Sequence, residues 1–188
     1  MKVLVMLSGG VESTALIKYG LDKGYTVECL HVTFNNKSAF EHRQAKQIAE
    51  YYHVEYSQIS IDISEYHDKQ ERHTVPRMDN PYWACGLLTC APIGGYNEAW
   101  YGTHLGETPP GASGPAGINL VLQGVGCETR VKSPLFKKTK KEQWNMLSED
   151  VKQLVISCNR IESDKDYRRG PCGICEKCKE WKKFAISV

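Results

Sequence analysis

The sequence predicts an α/β protein built on a parallel β-sheet, and three observations support this prediction. Short aliphatic and β-branched runs alternate with segments of helical periodicity through the amino-terminal part of the chain. The first run, residues 2–7, is aliphatic without polar alternation, as is typical of a strand covered on both faces of a parallel sheet. A glycine-rich turn, Ser8-Gly9-Gly10, directly follows the first run. Alternating strands and helices favour β-α-β crossovers and therefore a parallel sheet.

The amino-terminal part of the chain predicts three strands and two helices in alternation. The strands are expected at residues 2–7, 25–34 and 54–61, where apolar and β-branched residues are concentrated. The first helix is expected after the glycine turn, because Ala15, Leu16 and Tyr19 recur at helical spacing, and should end near Gly24. The second helix is expected over residues 39–52.

The rest of the chain gives weaker signals for regular structure. Residues 82–100 predict a helix interrupted by Pro92 and a glycine pair, and the glycine and proline content of 103–119 predicts a mobile loop. A further helix is expected over 140–147. We expect a main domain at 1–150 and a small carboxy-terminal element at 151–188.

Composition and charge limit the classes of function. The chain has 188 residues and 41% hydrophobic content, enough for one sizeable core. Its 24 Lys and Arg against 22 Asp and Glu give a formal net charge of +2, which does not by itself indicate nucleic-acid binding. The apolar run at the amino terminus is too short for a signal peptide or a membrane span, so we expect a cytoplasmic protein without a membrane partner.

The glycine turn predicts an anion site at the start of the first helix. Free N–H groups, the helix dipole and three nearby hydroxyl groups would converge there. The turn lacks the Lys-Ser/Thr ending of a Walker A loop. The alternative interpretation is that Ser8 or Ser13 simply caps a helix after a tight turn.

Four cysteines near the carboxy terminus predict a metal site. Cys172, Cys175 and Cys178 form the sequence CGICEKC, and Cys158 lies a short distance upstream. Four thiolates in tetrahedral geometry are typical of structural zinc, and the alternatives are an iron–sulfur cluster and cysteines that are unligated or joined in disulfides. The remaining four cysteines are expected to be buried as small hydrophobic side chains; they are Cys29, Cys85, Cys90 and Cys127.

The sequence Ser-Gly-Gly-x-acid-Ser after the first strand resembles the loop of the PP-loop ATP pyrophosphatases, whose fold is the adenine nucleotide alpha hydrolase-like α/β fold. The resemblance implies that the loop binds the phosphates of ATP, with Mg²⁺, while pyrophosphate is released. The nucleotide-binding residues that it implies are Ser8, Gly9, Gly10, Glu12, Ser13 and Thr14. Glu12 stands where the family usually has Asp.

The cysteine element together with the loop resembles the 7-cyano-7-deazaguanine synthases, and the resemblance extends over most of the chain. Further matching segments lie at 41–49, at 76–80 and at 133–142. That family converts 7-carboxy-7-deazaguanine and ammonia to the nitrile by using ATP twice and passing through the amide, in deazapurine (queuosine) biosynthesis for tRNA or DNA modification. The resemblance implies a ligase with one structural zinc ion per chain, held by the four carboxy-terminal cysteines.

Two basic residues are candidates for the catalytic site within this resemblance. Lys140, in the segment Thr139-Lys140, is the candidate phosphate contact, and Arg77 is the candidate pocket cation. Each has the alternative interpretation of an ordinary surface charge. No direct nucleic-acid partner is expected, and a homodimer is left open.

The substrate pocket departs from the family pattern. Where the family has Tyr-Pro-Asp-Cys-Arg, this chain has GETPPGASGPAGINLVLQ. One expectation is a relaxed enzyme that releases the amide or accepts another carboxylate; the other is that Glu107, Thr108 and Asn119 replace the lost contacts. Two other functions remain as alternatives: another PP-loop adenylating enzyme, and a zinc-ribbon module that touches nucleic acid through the basic stretch 130–141.

Overall fold

Five strands form one parallel sheet in the order β3-β2-β1-β4-β5. They were located in a computed structural model that describes residues 1–34, 39–61, 90–106, 114–155, 158 and 172–185. The strands are β1 (Lys2–Met6), β2 (Thr26–Phe34), β3 (Glu55–Ile61), β4 (Glu98–Trp100) and β5 (Arg130–Lys132). The predicted parallel sheet is therefore confirmed.

The helices follow the predicted alternation in the first third of the chain. They are α1 (Val11–Asp22), α2 (Ala39–Tyr51), α3 (Gly114–Gly124), α4 (Lys140–Asn145), α5 (Glu149–Leu154) and α6 (Glu176–Ala185). The predicted bounds of β1, α1, β2, α2 and β3 agree with the structure to within one or two residues. No helix in the described part of the chain is both long enough and apolar enough to span a bilayer.

Two hydrophobic cores lie on opposite faces of the sheet. The larger one packs α1 and α2 against β1, with Val3, Val5, Leu16 and Ile48 almost inaccessible to solvent. The smaller one packs α3 against the other face, and its buried members include Leu4, Leu30, Ala99, Ile118, Leu122 and Val131. Because both faces are covered at the centre of the sheet, β1 is apolar on both faces after Lys2.

Two predictions for the middle of the chain are wrong in part within the described residues. The helix predicted over 82–100 is present at 90–93 and stops at the glycine pair, as predicted, but its carboxyl end is replaced by β4, because Ala99 and Trp100 are buried beside β1. The loop predicted over 103–119 gives way to α3 from Gly114, which buries Ile118 and Leu122 one turn apart. Residues 82–89 and 107–113 lie outside the described residues.

The predicted domain boundary at residue 150 falls inside α5. Val151 and Val155 of this region belong to the larger core, so α5 is packed with the main domain. Helix α6 contacts the same domain through Trp181, whose ring lies 4.6 Å from that of Trp144 in an edge-on arrangement. The carboxy-terminal element therefore lies against α4.

Candidate active site

The candidate site lies at the point of the sheet where the order of the strands along the chain changes direction. β1 is flanked by β2 on one side and by β4 on the other, so the loops after β1 and β4 leave their strands next to each other. In open α/β sheets the crevice at such a point, beyond the carboxyl ends of the strands, is the usual ligand site. The predicted phosphate-binding loop, residues 8–10, follows β1 at this position.

Hydrogen bonds between the serine hydroxyl groups and the backbone, within the loop and with the first turn of α1, hold the loop in shape. The Ser8 N–H donates to Ser13 Oγ at 3.2 Å, and the Ser13 hydroxyl donates to the Gly10 carbonyl oxygen at 3.2 Å. The Gly10 N–H in turn donates to Ser8 Oγ at 3.4 Å. Gly9 has a φ of +82°, a conformation that favours glycine.

Helix α1 starts without a side-chain cap. Its N-cap residue is Gly10, and no side chain accepts a capping hydrogen bond there. Since the first N–H groups of a helix have no partner within the helix, this end can accept an anion. The hydroxyl group of Thr14 points back to the Gly10 carbonyl oxygen at 2.7 Å, and Thr14 is completely buried. The hydrogen bond from Thr14 to Gly10 stabilises the loop. A direct contact between Thr14 and a phosphate stays a prediction.

Gly102 lets the segment after β4 approach the start of α1 closely. A Cβ atom built on Gly102 would lie 2.7 Å from Glu12 Cβ and 2.7 Å from the Ser13 backbone nitrogen. Separations this short do not occur between real atoms of these types, so any larger residue would push the two segments apart. Gly102 thus places residues 103–106 beside the phosphate-binding loop.

Four charged or titratable side chains from four segments form a closed ring beside the loop; we call it the charge ring. It consists of Glu12 in α1, His104 after β4, Lys140 at the start of α4 and Glu180 in α6. Lys140 Nζ lies 2.9 Å from Glu12 Oε1 and 3.0 Å from Glu180 Oε2. His104 Nδ1 lies 3.1 Å from Glu12 Oε1, and its Nε2 lies 3.5 Å from Glu180 Oε1.

The charge ring has strong electrostatic consequences for Glu12 and Lys140. Burial alone would raise the pKa of Glu12, but hydrogen bonding from His104 and the charge of Lys140 lower it to about 2. Burial alone would lower the pKa of Lys140, but the charge of Glu12 raises it above its usual value. Both groups are therefore ionised at neutral pH.

The segment that carries Lys140 is fixed by a capping box and by a buried amide. Thr139 and Glu142 cap α4 reciprocally, which sets Lys140 in the first helical position. Gln143 is fully buried, and its Nε2 donates to the Thr103 carbonyl oxygen at 2.8 Å. The same side chain thus ties α4 to the segment that carries His104.

The structure brings the four predicted metal ligands together. The Sγ atoms of Cys158, Cys172, Cys175 and Cys178 all lie within 4.8 Å of one another. Those of Cys172 and Cys178 are 3.9 Å apart, and the edge of a tetrahedral ZnS₄ site with Zn–S bonds of about 2.3 Å is about 3.8 Å. The cluster can therefore hold a metal ion.

The surrounding protein shifts the pKa values of two of these thiols in opposite directions. Backbone N–H groups of Ile174 and Cys175 lower the pKa of Cys172. Burial raises the pKa of Cys178 to about 12, so this buried thiol would become a thiolate at neutral pH only with a bound cation.

A cavity of about 710 Å³ adjoins the charge ring. Thr103 and His104 contribute to its wall, and so do the aromatic rings of Tyr19, Tyr25 and Trp100. Its volume falls within the range of about 300–1,000 Å³ that is usual for small-molecule sites. His104 is thus shared by the cavity and the charge ring.

Other predicted site residues are placed as follows. Arg77, Glu107 and Thr108 lie outside the described residues. Asn119 uses its side-chain amide to join α3 to β5, because it accepts from the Val131 N–H at 2.7 Å and donates to the Val131 carbonyl oxygen at 3.1 Å. Of the four cysteines expected to be buried, Cys29 is buried, Cys90 and Cys127 are only partly buried, and Cys85 lies outside the described residues.

Sequence reasoning missed Gly102, His104 and Glu180. Each stands in a segment without a motif. Gly102 and His104 reach Glu12, and Glu180 reaches Lys140, only through the folding of the chain. Sequence reasoning also missed His31, which is buried and whose Nδ1 lies 2.7 Å from the Leu7 carbonyl oxygen directly before the loop. The proximity of α6 to Lys140 gave no signal in the sequence.

Comparison with known protein families gives a partial match. Residues 2–77 match the family model of the queuosine biosynthesis protein QueC. The 7-cyano-7-deazaguanine synthase 2 of Sulfurisphaera tokodaii is 41% identical over 63 residues, which are 33% of this chain and 14% of that protein. The 7-cyano-7-deazaguanine synthase of Archaeoglobus fulgidus is 37% identical over 68 residues, which are 36% of this chain and 28% of that protein. The matched segments thus span well under a third of these relatives, and the amino-terminal part of the chain is QueC-like.

Solved structures show the same fold over more of the chain. A predicted subunit of a tRNA methyltransferase from Methanocaldococcus jannaschii superposes with a TM-score of 0.59 and 19% identity, over 78% of this chain and 74% of that one. The U34-tRNA thiolase NcsA from Methanococcus maripaludis, solved with its [4Fe-4S] cluster, superposes with a TM-score of 0.54 and 15% identity, over 97% of this chain and 67% of that one. The predicted PP-loop α/β fold is therefore confirmed.

Proposed function

We propose that this protein is an ATP-dependent ligase of the 7-cyano-7-deazaguanine synthase type, acting on 7-carboxy-7-deazaguanine and ammonia. The QueC match over residues 2–77 is the observation that carries the proposal. It includes the loop that follows β1, and that loop lies at the point of the sheet where α/β proteins bind ligands. The carboxylate of a deazapurine is the acceptor, and ATP enters as its Mg²⁺ complex.

Activation of a carboxylate explains why ATP is needed. A carboxylate oxygen is a poor leaving group; when it attacks the α-phosphorus of ATP, pyrophosphate leaves and an acyl adenylate forms. Ammonia then attacks the acyl carbon and AMP leaves, which gives the amide. A second adenylation, on the amide oxygen, followed by loss of AMP and protons gives the nitrile.

The loop and Lys140 bind the phosphates in this proposal. The first-turn N–H groups of α1 and the hydroxyl groups of Ser8 and Ser13 donate to phosphate oxygens, and the ammonium group of Lys140 offsets the charge that develops as pyrophosphate leaves. Glu12 acts indirectly, because its carboxylate holds Lys140 and His104. Arg77 remains the proposed pocket cation.

The cavity next to His104 is the proposed site of the deazapurine ring. Its aromatic walls suit a planar heterocycle, and its position beside the charge ring brings a bound carboxylate toward the phosphate-binding loop. Asn119 already pairs with the Val131 backbone, which weakens the expectation that it recognises the base. We therefore keep the proposal that the amide escapes more readily from this enzyme than from other family members.

The four-cysteine cluster is the proposed site of one structural zinc ion per chain. All four sulfur atoms lie within 4.8 Å of one another, and the 3.9 Å between Cys172 and Cys178 matches the edge of one tetrahedral site, whereas a cubane cluster spreads its thiolates over four irons. The ion would close the element around α6 and would not take part in the chemistry. We retain the two-part organisation, with α5 assigned to the main domain, and a cytoplasmic location without a nucleic-acid partner; a homodimer remains open.

Pyrophosphate release separates this proposal from the non-enzymatic alternative. With MgATP and 7-carboxy-7-deazaguanine, the protein should release pyrophosphate, and omission of the acid should abolish the release. If instead it bound RNA or DNA with a steep salt dependence and released no pyrophosphate, the zinc-ribbon module would be the better description. Release with other acids, but not with this one, would favour another PP-loop adenylating enzyme.

A further inference from the structure

The charge ring connects the carboxy-terminal cysteine element to the phosphate-binding loop. Glu180 is the member of the ring that the element supplies, and its carboxylate oxygens lie 3.0 Å from Lys140 Nζ and 3.5 Å from His104 Nε2. We propose that Glu180 is a positioning residue through which the metal-bound cysteine element fixes Lys140 beside the phosphate-binding loop. The element would then serve the nucleotide site as well as its own stability.

The first step is the link from the metal ligands to Glu180. Cys178 lies in the first turn of α6, two residues before Glu180, and its N–H donates to Cys175 Sγ at 3.4 Å. The Lys179 N–H donates to the Cys175 carbonyl oxygen at 2.9 Å, so the ligand segment continues directly into the helix. A metal ion that holds these sulfur atoms therefore also sets the position of the first turns of α6.

The second step is the link from Glu180 to Lys140. The ammonium group lies between the carboxylates of Glu12 and Glu180, and the Lys140 side chain is only 12% exposed. With both carboxylates in place, the flexible side chain is held from two sides. With Glu12 alone, it keeps one partner and can swing toward solvent.

An aromatic contact that does not involve the Glu180 side chain docks α6 onto the domain, because Trp181 packs edge-on against Trp144 of α4. Within the element, Lys182 Nζ donates to the Gly173 carbonyl oxygen at 3.2 Å. The side chain of Glu180 is 38% exposed, so an isosteric amide can replace it without leaving a cavity. The contacts of Glu180 with Lys140 and His104 add a polar link between α6 and the charge ring, and Glu180→Gln weakens this link while the aromatic contact remains.

Competitive acetylation of lysines, read by mass spectrometry, tests this inference without relying on enzyme activity. The rate at Lys140 is measured in the parent protein and in Glu180→Gln, each with zinc bound and after removal of zinc by a chelator. Lys152 is the internal control, because its side chain is 15% exposed and ion-paired to Glu149. Glu149→Gln is the matched charge control and should leave the rate at Lys140 unchanged.

We expect zinc removal to raise the rate at Lys140 about tenfold in the parent protein, as for loss of one charge-assisted hydrogen bond. Glu180→Gln should show the same rise with zinc still bound, and zinc removal should then add nothing further. Additive effects of the two changes, or no effect of zinc, would overturn the inference. An equal rise at Lys152 would also overturn it, because the metal would then stabilise the whole chain. So would loss of zinc from Glu180→Gln, because Glu180 would then support the metal site.

The inference rests on the proposed function in one respect: it takes Lys140 as a residue that binds the phosphates of a nucleotide. ATP dissociation constants from the same four samples keep the two apart. If acetylation shows the coupling but ATP fails to bind in any sample, the positioning role stands and the proposed function falls. If ATP binds in all four samples and acetylation shows no coupling, the proposed function stands and the positioning role falls.

Discussion

Replacing Glu12 by Gln removes one charge from the charge ring and keeps nearly the same side-chain volume. In the folded protein the pKa of Glu12 is about 2, against 4.5 for an unperturbed glutamate, because His104 and Lys140 favour its ionised form over the opposing effect of burial. A lowering of this size corresponds to a stabilisation of about 3 kcal/mol when the carboxylate is ionised in both states. We therefore expect Glu12→Gln to lower the free energy of unfolding at pH 7 by about 3 kcal/mol.

The pH dependence of this difference follows from the direction of the shift. A carboxylate with a lowered pKa stabilises the fold above its unfolded value of 4.5, and this contribution is lost as the pH falls toward 2. The gap between the parent protein and Glu12→Gln should thus be constant from pH 7 to about 5.5 and shrink by about 40% near pH 3.5.

Urea unfolding followed by tryptophan fluorescence at each pH measures the gap, with both proteins at equal zinc content. Glu149→Gln is the control; it removes an exposed ion pair with Lys152 and should cost less than about 1 kcal/mol at every pH. Equal stabilities of parent and Glu12→Gln at pH 7, or a gap that does not change between pH 7 and 3.5, would refute the electrostatic reasoning.

Three further predictions concern the loop, the metal and the contact behind the loop. Ser13→Ala should lower kcat/KM for ATP by a factor that corresponds to about 1.5–3 kcal/mol, the value of a charge-assisted hydrogen bond. Equal pyrophosphate release by variant and parent would show that this hydroxyl group does not contact the phosphates. The purified protein should hold about one zinc ion per chain by metal analysis, and Cys175→Ser should lose it together with thermal stability; an iron–sulfur absorption band in anaerobically prepared protein would contradict the zinc assignment. Gly102→Ala should destabilise the fold by at least about 1–3 kcal/mol in urea unfolding, because the new methyl group would overlap the start of α1. Gly117→Ala should be neutral or stabilising, because a Cβ atom at this position would meet open space; equal effects of the two glycine changes would rule out the close approach.

The first half of the sheet and the phosphate-binding loop could be predicted because their signals are local. β1 is a continuous apolar run, and the turn of Ser8, Gly9 and Gly10 stands between it and a periodic helix. The four cysteines could likewise be predicted as a cluster, because three of them lie within seven residues. Such patterns need no knowledge of distant contacts.

The second half was harder because tertiary burial decides it. α3 contains Gly114, Pro115 and Gly117, which favour a loop, yet Pro115 is tolerated in the first turn of a helix and Ile118 and Leu122 bury one face. β4 has only three residues and is recognised by its pairing with β1. Short elements of this kind carry too little periodicity to be distinguished from their surroundings.

The charge ring could not be predicted because its members are distant in sequence. Glu12 and Glu180 are brought to the same Lys140 by α1, α4 and α6, and no spacing in the sequence relates them. Lys140 alone was predicted to contact phosphate, from a family resemblance. Its carboxylate partners follow only from the packing of α4 against α1, which supplies Glu12, and against α6, which supplies Glu180.

Mass spectrometry of the products formed from MgATP, ammonium and 7-carboxy-7-deazaguanine tests the central claim most directly. A time course should show AMP, pyrophosphate and the C–N products, with free 7-amido-7-deazaguanine detectable before or beside the nitrile. If nitrile accumulated with no free amide at any time, the proposed escape of the amide would be wrong and the proposed ligase activity would be supported. If the acid remained unchanged while the zinc-loaded, folded protein bound ATP, the proposed reaction itself would be contradicted.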